Sequence, residues 1–200
     1  MSQFRIRLSG LIIFLSFSLT TNLTAQSYVL AADSAITINI TGTSTLHGWT
    51  VVANTINEVP ESIDLTEEAT KAISDFSFGV IIDSLDGGRG ASMNAKIKKA
   101  LQASQHPIIT YQQTAPATLM DMDAEGNFKL ISKGTLNMVG LKKEIAIEVM
   151  GQKTAAGIIL KGSKPLKFSE FDIEPPSAMF GQIVCGDDIA VNFEFRYTLK

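Results

Sequence analysis

The chain is predicted to be all-β, an antiparallel sheet of about eight strands curled into a sandwich or barrel, with one or two short helices. Three observations predict it. Residues 188–199 alternate without a slip: Ile189, Val191, Phe193, Phe195, Tyr197 and Leu199 are apolar or aromatic. Between them, Asp188, Ala190, Asn192, Glu194, Arg196 and Thr198 are polar or small. A period of two marks a strand with one buried face and one wet face. The pattern recurs along the chain between turn residues, and a single segment, 93–101, breaks it with clear helical spacing.

The first 25 residues are predicted to be a secretory signal peptide. Arg5 and Arg7 precede an apolar run at 11–19, and small or polar residues end at Ala25 before Gln26. The apolar run is too short to anchor in a membrane. Cys185 is the only cysteine, so no lipid-anchoring cysteine stands at the cleavage site and no internal disulfide forms. It reads as a small apolar core or strand-end residue. Residues 26–200 are expected to form one exported domain, in the periplasm or secreted. The chain carries a net charge of −3, and loss of the two arginines makes it more acidic. Such a domain is a poor nucleic-acid binder, because affinity for phosphate backbones comes from clustered Lys and Arg.

Within the domain, Ile36, Ile38 and Ile40 alternate with Thr37, Asn39 and Thr41. Over 75–83 the apolar positions are Phe76, Phe78, Val80 and Ile82. Ile145, Ile147 and Val149 alternate with Glu144, Ala146 and Glu148. Looser strands are predicted at 49–56, 108–113, 128–138 and 157–161. Glu125-Gly126-Asn127 and Gly140-Leu141-Lys142 read as hairpin turns, and 151–157 as a longer one. Met93, Ile97, Ala100 and Leu101 share one helical face, with Ser92 as the expected N-cap. Lys96, Lys98 and Lys99 lie largely off that stripe, and His106-Pro107 ends the helix. A second helical turn is expected within 61–73.

Chemistry has little to work with. The two histidines are His47 and His106, and no Gly-x-Ser-x-Gly elbow or zinc-type spacing exists. An enzyme is therefore not expected. Asp121-Met-Asp123-Ala-Glu125-Gly126 begins like a calcium loop, but its twelfth position is Ser132 and it runs into strand residues, so a solvated hairpin tip is expected. Asp86-Gly87-Gly88-Arg89-Gly90 precedes the helix. It is either a flexible turn or a seat for a phosphate or polar head group with Arg89 as counter-charge. His47 and Trp49 fall at the turn between the first two long strands, where either a local structural role or a place at a barrel mouth fits them.

Five segments, in order, resemble the YceI-like lipid-binding family, also described as polyisoprenoid-binding proteins. They are Tyr28-Val29-Leu30 with Ser44-Thr45-Leu46-His47-Gly48-Trp49, the helix 93–101, His106-Pro107-Ile108-Ile109, the hairpin 134–145, and Phe171-Asp172-Ile173-Glu174-Pro175-Pro176. Two positions depart from the family's common pattern: Asp172 stands where glycine is usual, and Tyr111 where phenylalanine is usual. Both are expected to adjoin the interior.

The resemblance implies a lipocalin-like antiparallel β-barrel with an elongated apolar channel that holds an isoprenoid lipid, a quinone tail or polyprenyl phosphate. A barrel of about eight strands is wide enough for one slender guest. Burial contributes about 0.8 kcal/mol per CH₂, so several isoprene units need no charged contact. Strand residues expected to line the channel are Ile38, Phe76, Phe78, Tyr111, Phe193, Phe195 and Tyr197. Ile97 and Leu101 of the helix and Phe171 join them, with His47, Trp49 and Arg89 at the mouth or head group. For each channel residue the competing expectation is a solid barrel core. No cofactor is expected beyond such a lipid. Transient contact with a membrane surface through the helix lysines, and a homodimer, are compatible with the reading. The alternative is a cell-envelope interaction module that uses the barrel only as a scaffold.

Overall fold

The computed structural model describes residues 26–31, 35–66 and 72–200, so the expected leader lies outside the described residues. In chain order the strands are β1 (Gln26–Leu30), β2 (Ile36–Ser44), β3 (Gly48–Ala53), β4 (Ile56–Asn57), β5 (Ser62–Leu65), β6 (Ser77–Ile81) and β7 (Leu85–Asp86). Helix α1 (Ala91–Ala100) follows. Then come β8 (Ile108–Met122), β9 (Asn127–Met138), β10 (Leu141–Thr154), β11 (Gly157–Lys167), β12 (Ser177–Ala178) and β13 (Ile183–Leu199).

The main sheet runs β4-β6-β8-β9-β10-β11-β13-β2-β3-β7, and its two ends meet. β3 and β4 are successive parts of one stave, and β6 and β7 are parts of another, interrupted by a 3-10 turn at Ile82–Ser84. Val52 pairs with Asp86 and Ala53 with Leu85 above the interruption; Ile56 pairs with Val80 and Asn57 with Gly79 below it. Across the gap, the Asn54 amide donates to the Ser84 carbonyl and the Thr55 amide to the Ser84 hydroxyl. The sheet thereby closes into a barrel of eight staves, with no long open edge. β1 continues the line of β2 along β13, with Tyr28 opposite Leu199 and Leu30 opposite Tyr197, and β5 pairs with β1. Together they cover one end of the barrel, the base, where Tyr28, Ile63 and Leu65 are buried.

The staves are longer than their alternation suggested. β11 extends to Lys167 instead of ending near 161, and β8 extends to Met122 instead of ending near 113. Register shifts against β9 at Gln113/Ala115, Ala115/Thr118 and Leu119/Asp121 accommodate Pro116 and erase the period of two there. The β9–β10 turn is Val139-Gly140, both at positive φ (53° and 75°), one residue earlier than expected. The turn expected over 151–157 shrinks to residues 155–156, because Gly151 is a strand residue. A Cβ there would lie 2.0 Å from the Phe128 ring, so glycine serves close approach rather than turning.

Two helix expectations need correction. α1 begins at Ala91 with Gly90 (φ 78°) in the N-cap position and no side-chain cap, so Ser92 lies inside the first turn. Within 61–73, residues Ser62–Leu65 are extended because they pair with β1; 67–71 lie outside the described residues. No helix among the described residues is long and apolar enough to cross a membrane.

Candidate functional site

β13 runs the length of the interior. Cys185, Ile189, Val191 and Phe193 face a cavity of about 300 Å³, Phe195 lies beneath it, and Tyr197 is buried below that. Around the cavity stand Ile38 and Ile40 of β2, Val51 of β3, Phe78 and Val80 of β6, and Ile109 and Tyr111 of β8. Leu136 and Met138 of β9, Ile145 and Ile147 of β10, and Leu166 of β11 complete the ring. The wall is almost wholly hydrocarbon, as inward positions of a one-sided sheet must be. α1 lies over one side and presents Met93, Ile97 and Ala100, with Leu101 just after it.

Four rings make the floor. Phe76 meets Phe195 edge to face at 5.1 Å between centroids, and Phe78 and Phe193 lie 5.7 and 5.8 Å from the same ring. Phe78 also stacks on Tyr111 at 5.5 Å. Below them is a void of about 40 Å³ beside a small buried polar network. There the Tyr111 hydroxyl and Ser132 Oγ share a hydrogen bond of 2.7 Å. Gln113 donates to the Ile73 carbonyl at 3.2 Å and accepts from the Phe76 amide at 2.9 Å. Burial pushes the Tyr111 phenol above its ordinary range. The extra hydroxyl at this position, relative to phenylalanine, is thus satisfied.

Glycines make room for the rings. A Cβ on Gly162 of β11 would stand 2.2 Å from Phe193, which it pairs with across the strands, and a Cβ on Gly42 would stand 2.3 Å from Trp49.

The mouth is built around the turn between β2 and β3. Ser44 Oγ donates to the His47 carbonyl (2.7 Å) and accepts from the His47 amide (3.1 Å). His47 Nδ1 donates to the Gly48 carbonyl at 2.7 Å, which leaves Nε2 to accept from Arg89 Nη2 at 3.2 Å. Trp49 donates its indole N–H to the Thr43 carbonyl at 2.8 Å and stacks on Phe168. His47 and Arg89 are exposed to water yet touch the cavity, so the polar pair sits where the apolar space ends.

Nine of the expected residues therefore line one cavity: Ile38, His47, Trp49, Phe78, Arg89, Ile97, Leu101, Tyr111 and Phe193. Phe76 and Phe195 form the floor instead, touching the lower void. Phe171 and Tyr197 line neither space. Phe171 ends a 3-10 turn, Phe168–Phe171, with Lys143 Nζ 5.7 Å over its ring, and its neighbour Phe168 reaches the cavity in its place. Tyr197 belongs to the base, where its hydroxyl donates to the Pro60 carbonyl at 3.1 Å. Asp172 does not adjoin the interior: it is exposed at φ 53°, a left-handed position that glycine takes freely and aspartate tolerates. Ile145, Ile147, Ile189 and Val191 were not singled out, although their period of two places them on the buried face. Met93 shares the helical stripe of Ile97 and Leu101, whereas Phe168 carried no comparable signal.

The two anion and cation loops resolve as turns. The Gly88 amide donates to Asp86 Oδ1 and the Gly87 amide to Asn94 Oδ1, both at 2.9 Å, so these two amides are already partnered within the loop. The Gly88 amide and the Asn94 side chain hold the Asp86 carboxyl below its usual range. Asp123 accepts from the Asn127 amide (2.8 Å) and side chain (2.9 Å), which closes the β8–β9 hairpin tip. Among the described residues no group of three or more His, Cys, Asp or Glu is placed to hold a metal ion. Burial raises the Cys185 thiol, the opposite of what a reactive thiolate needs.

The fold and site together define an eight-stave antiparallel barrel with an apolar interior open at one end. The YceI-like domain model matches residues 20–197, and the chain belongs to that family. Among solved structures, a polyisoprenoid-binding domain from Saccharophagus degradans is similar at TM-score 0.63 and 12% identity, covering 88% of this chain and 100% of that one. BcnA of Burkholderia cenocepacia is similar at TM-score 0.58 and 13% identity, covering 82% and 96%. A YceI protein of Campylobacter jejuni is similar at TM-score 0.57 and 19% identity, covering 75% and 84%. No curated protein sequence matches the chain.

Proposed function

We propose that this protein is an exported carrier that takes the hydrocarbon chain of a long apolar lipid, an isoprenoid, into the barrel and leaves the lipid's polar end at the mouth. One observation carries the reading: an apolar cavity of about 300 Å³, closed by rings below and open beside His47 and Arg89 above. A slender chain gains from burial along its length, and a single polar end-group fixes its direction. The Saccharophagus degradans domain, described as polyisoprenoid-binding, has the same fold and supports the choice of lipid. A scaffold with no guest has no use for an unfilled apolar space, since packed interiors are more stable than hollow ones.

Mass spectrometry of an organic extract of the purified protein tests this. The expected result is an isoprenoid lipid in near-stoichiometric amount. Protein that is clean of lipid, and that also fails to take up added quinone or polyprenyl phosphate, overturns the reading.

A further inference from the structure

The rim of the cavity carries apolar side chains that face water. β12 and β13 form a hairpin whose tip, 179–182, stands beyond Ala178 and Ile183, a cross-strand pair that lines the cavity. At that tip Phe180 is 108% exposed and Met179 64% exposed. Next to it, Leu46 is 66% exposed while also touching the cavity. Thr45 ties the two tips together, its amide donating to the Val184 carbonyl (3.0 Å) and its hydroxyl to the Gln182 carbonyl (3.2 Å).

Met179, Phe180 and Gly181 are all left-handed, at φ 52°, 55° and 86°. Side-chain-bearing residues rarely adopt that backbone. The chain thus holds a phenyl ring out in water against its local preference, two residues beyond Ala178, which lines the apolar space. Strain kept beside a binding site points to use. Cations share the rim: Arg89 and Lys96 both reach the cavity mouth, in a chain of net charge −3.

We propose that this rim is a membrane-docking surface. Phe180, Met179 and Leu46 enter the interfacial layer of a bilayer that contains anionic lipid, Arg89 and Lys96 meet its charge, and the cavity mouth opens onto the acyl chains. Apolar side chains beside cations are what interfacial binding uses. The proposal rests on the carrier reading, because docking spares the guest a passage through water.

Flotation of the purified protein with vesicles of phosphatidylcholine, with and without phosphatidylglycerol, tests it. Binding to the anionic vesicles is expected, weakening as salt rises. Phe180→Ser should weaken it roughly ten- to a hundredfold, the loss for one large apolar side chain left in water. Met150→Ser, on the barrel's outer wall, should leave it unchanged. Because Phe180 packs on nothing, its variant should fold as the parent does. Absence of vesicle binding, or equal binding by the Phe180 and Met150 variants, overturns the proposal. So does a Phe180 variant that loses a dimer while binding vesicles normally, which would seat a second copy on the tip. Uptake of a polyprenyl quinone from cyclodextrin separates the two readings. Normal uptake from cyclodextrin with slowed transfer from vesicles in Phe180→Ser supports docking. No uptake from cyclodextrin by the parent, with vesicle binding intact, removes the carrier reading and leaves docking standing.

Discussion

Along β13, Ile189, Val191 and Phe193 face open space, whereas Phe195, further along the same face, meets only the void of about 40 Å³ and Tyr197 is fully buried. The two halves of the barrel share staves, period and closure. They differ in what crosses the axis. In the lower half the rings of Phe76, Phe78 and Phe195 meet, and β1 and β5 cover the end with Tyr28, Ile63 and Leu65. In the upper half the inward residues are mostly Ile, Val, Leu and Met, which stop short of one another. An eight-stave barrel sits at the width where aromatic side chains fill the interior and aliphatic ones leave room for a guest. Alternation therefore reports burial, and side-chain size against barrel radius decides occupancy.

Charging one residue in each half breaks the comparison most severely. Phe195→Glu puts a carboxylate among three phenyl rings at a site 1% exposed. An uncompensated buried charge costs several kcal/mol, comparable with the stability of a whole domain, so this variant should fail to fold. Val191→Glu, on the cavity wall, should fold and lose lipid uptake, its carboxylate reaching water through the mouth. Circular dichroism with urea titration distinguishes them; two folded variants would show that the floor is not solid.

A smaller perturbation acts at the boundary between the halves. Gly162→Val drives its side chain into Phe193, whose ring already lies 2.2 Å from where a Cβ would stand. Overpacking of this kind costs about 1–3 kcal/mol. The displaced ring is expected to enter the cavity, so lipid capacity should fall more than the urea midpoint does.

The subtlest test concerns the base. Burial raises the Tyr197 phenol well above its ordinary range, and Tyr111 shifts the same way. Below the unfolded tyrosine value of about 10 both states keep the proton and the stabilisation is complete. As pH rises past it, the unfolded chain ionises first, so the stability each buried phenol contributes declines. Tyr197→Phe should cost about 1 kcal/mol at neutral pH through the lost bond to the Pro60 carbonyl, and should flatten this alkaline decline. Urea titrations at neutral and alkaline pH check both effects; an unchanged decline would assign it elsewhere.

Legibility followed the strength of the local signal. The unbroken alternation at 188–199 marked β13, and the spacing of Met93, Ile97, Ala100 and Leu101 marked α1 and the face it turns to the cavity. Beyond Gln113, where bulges around Pro116 shift the register, the period vanished and the end of β8 with it. Ser62–Leu65 read as helical because its fate depends on pairing with β1, a contact distant in sequence. In the site, residues on regular strands were placed well. Phe171 is buried but off the cavity because a 3-10 turn, not a strand, decides which of Phe168 and Phe171 reaches it.

What the sequence determined by itself is local: a period of two means strand, and a period near four means helix. Tertiary structure alone decided that the staves close through the interrupted β3–β4 and β6–β7 pair. It also decided that Phe195 is floor and Val191 wall, and that the hairpin carrying Phe180 borders the cavity through Ala178 and Ile183. The reason is physical. Backbone sterics and amphipathicity act between near neighbours, whereas a cavity is a deficit of volume on the barrel axis, set by every stave together.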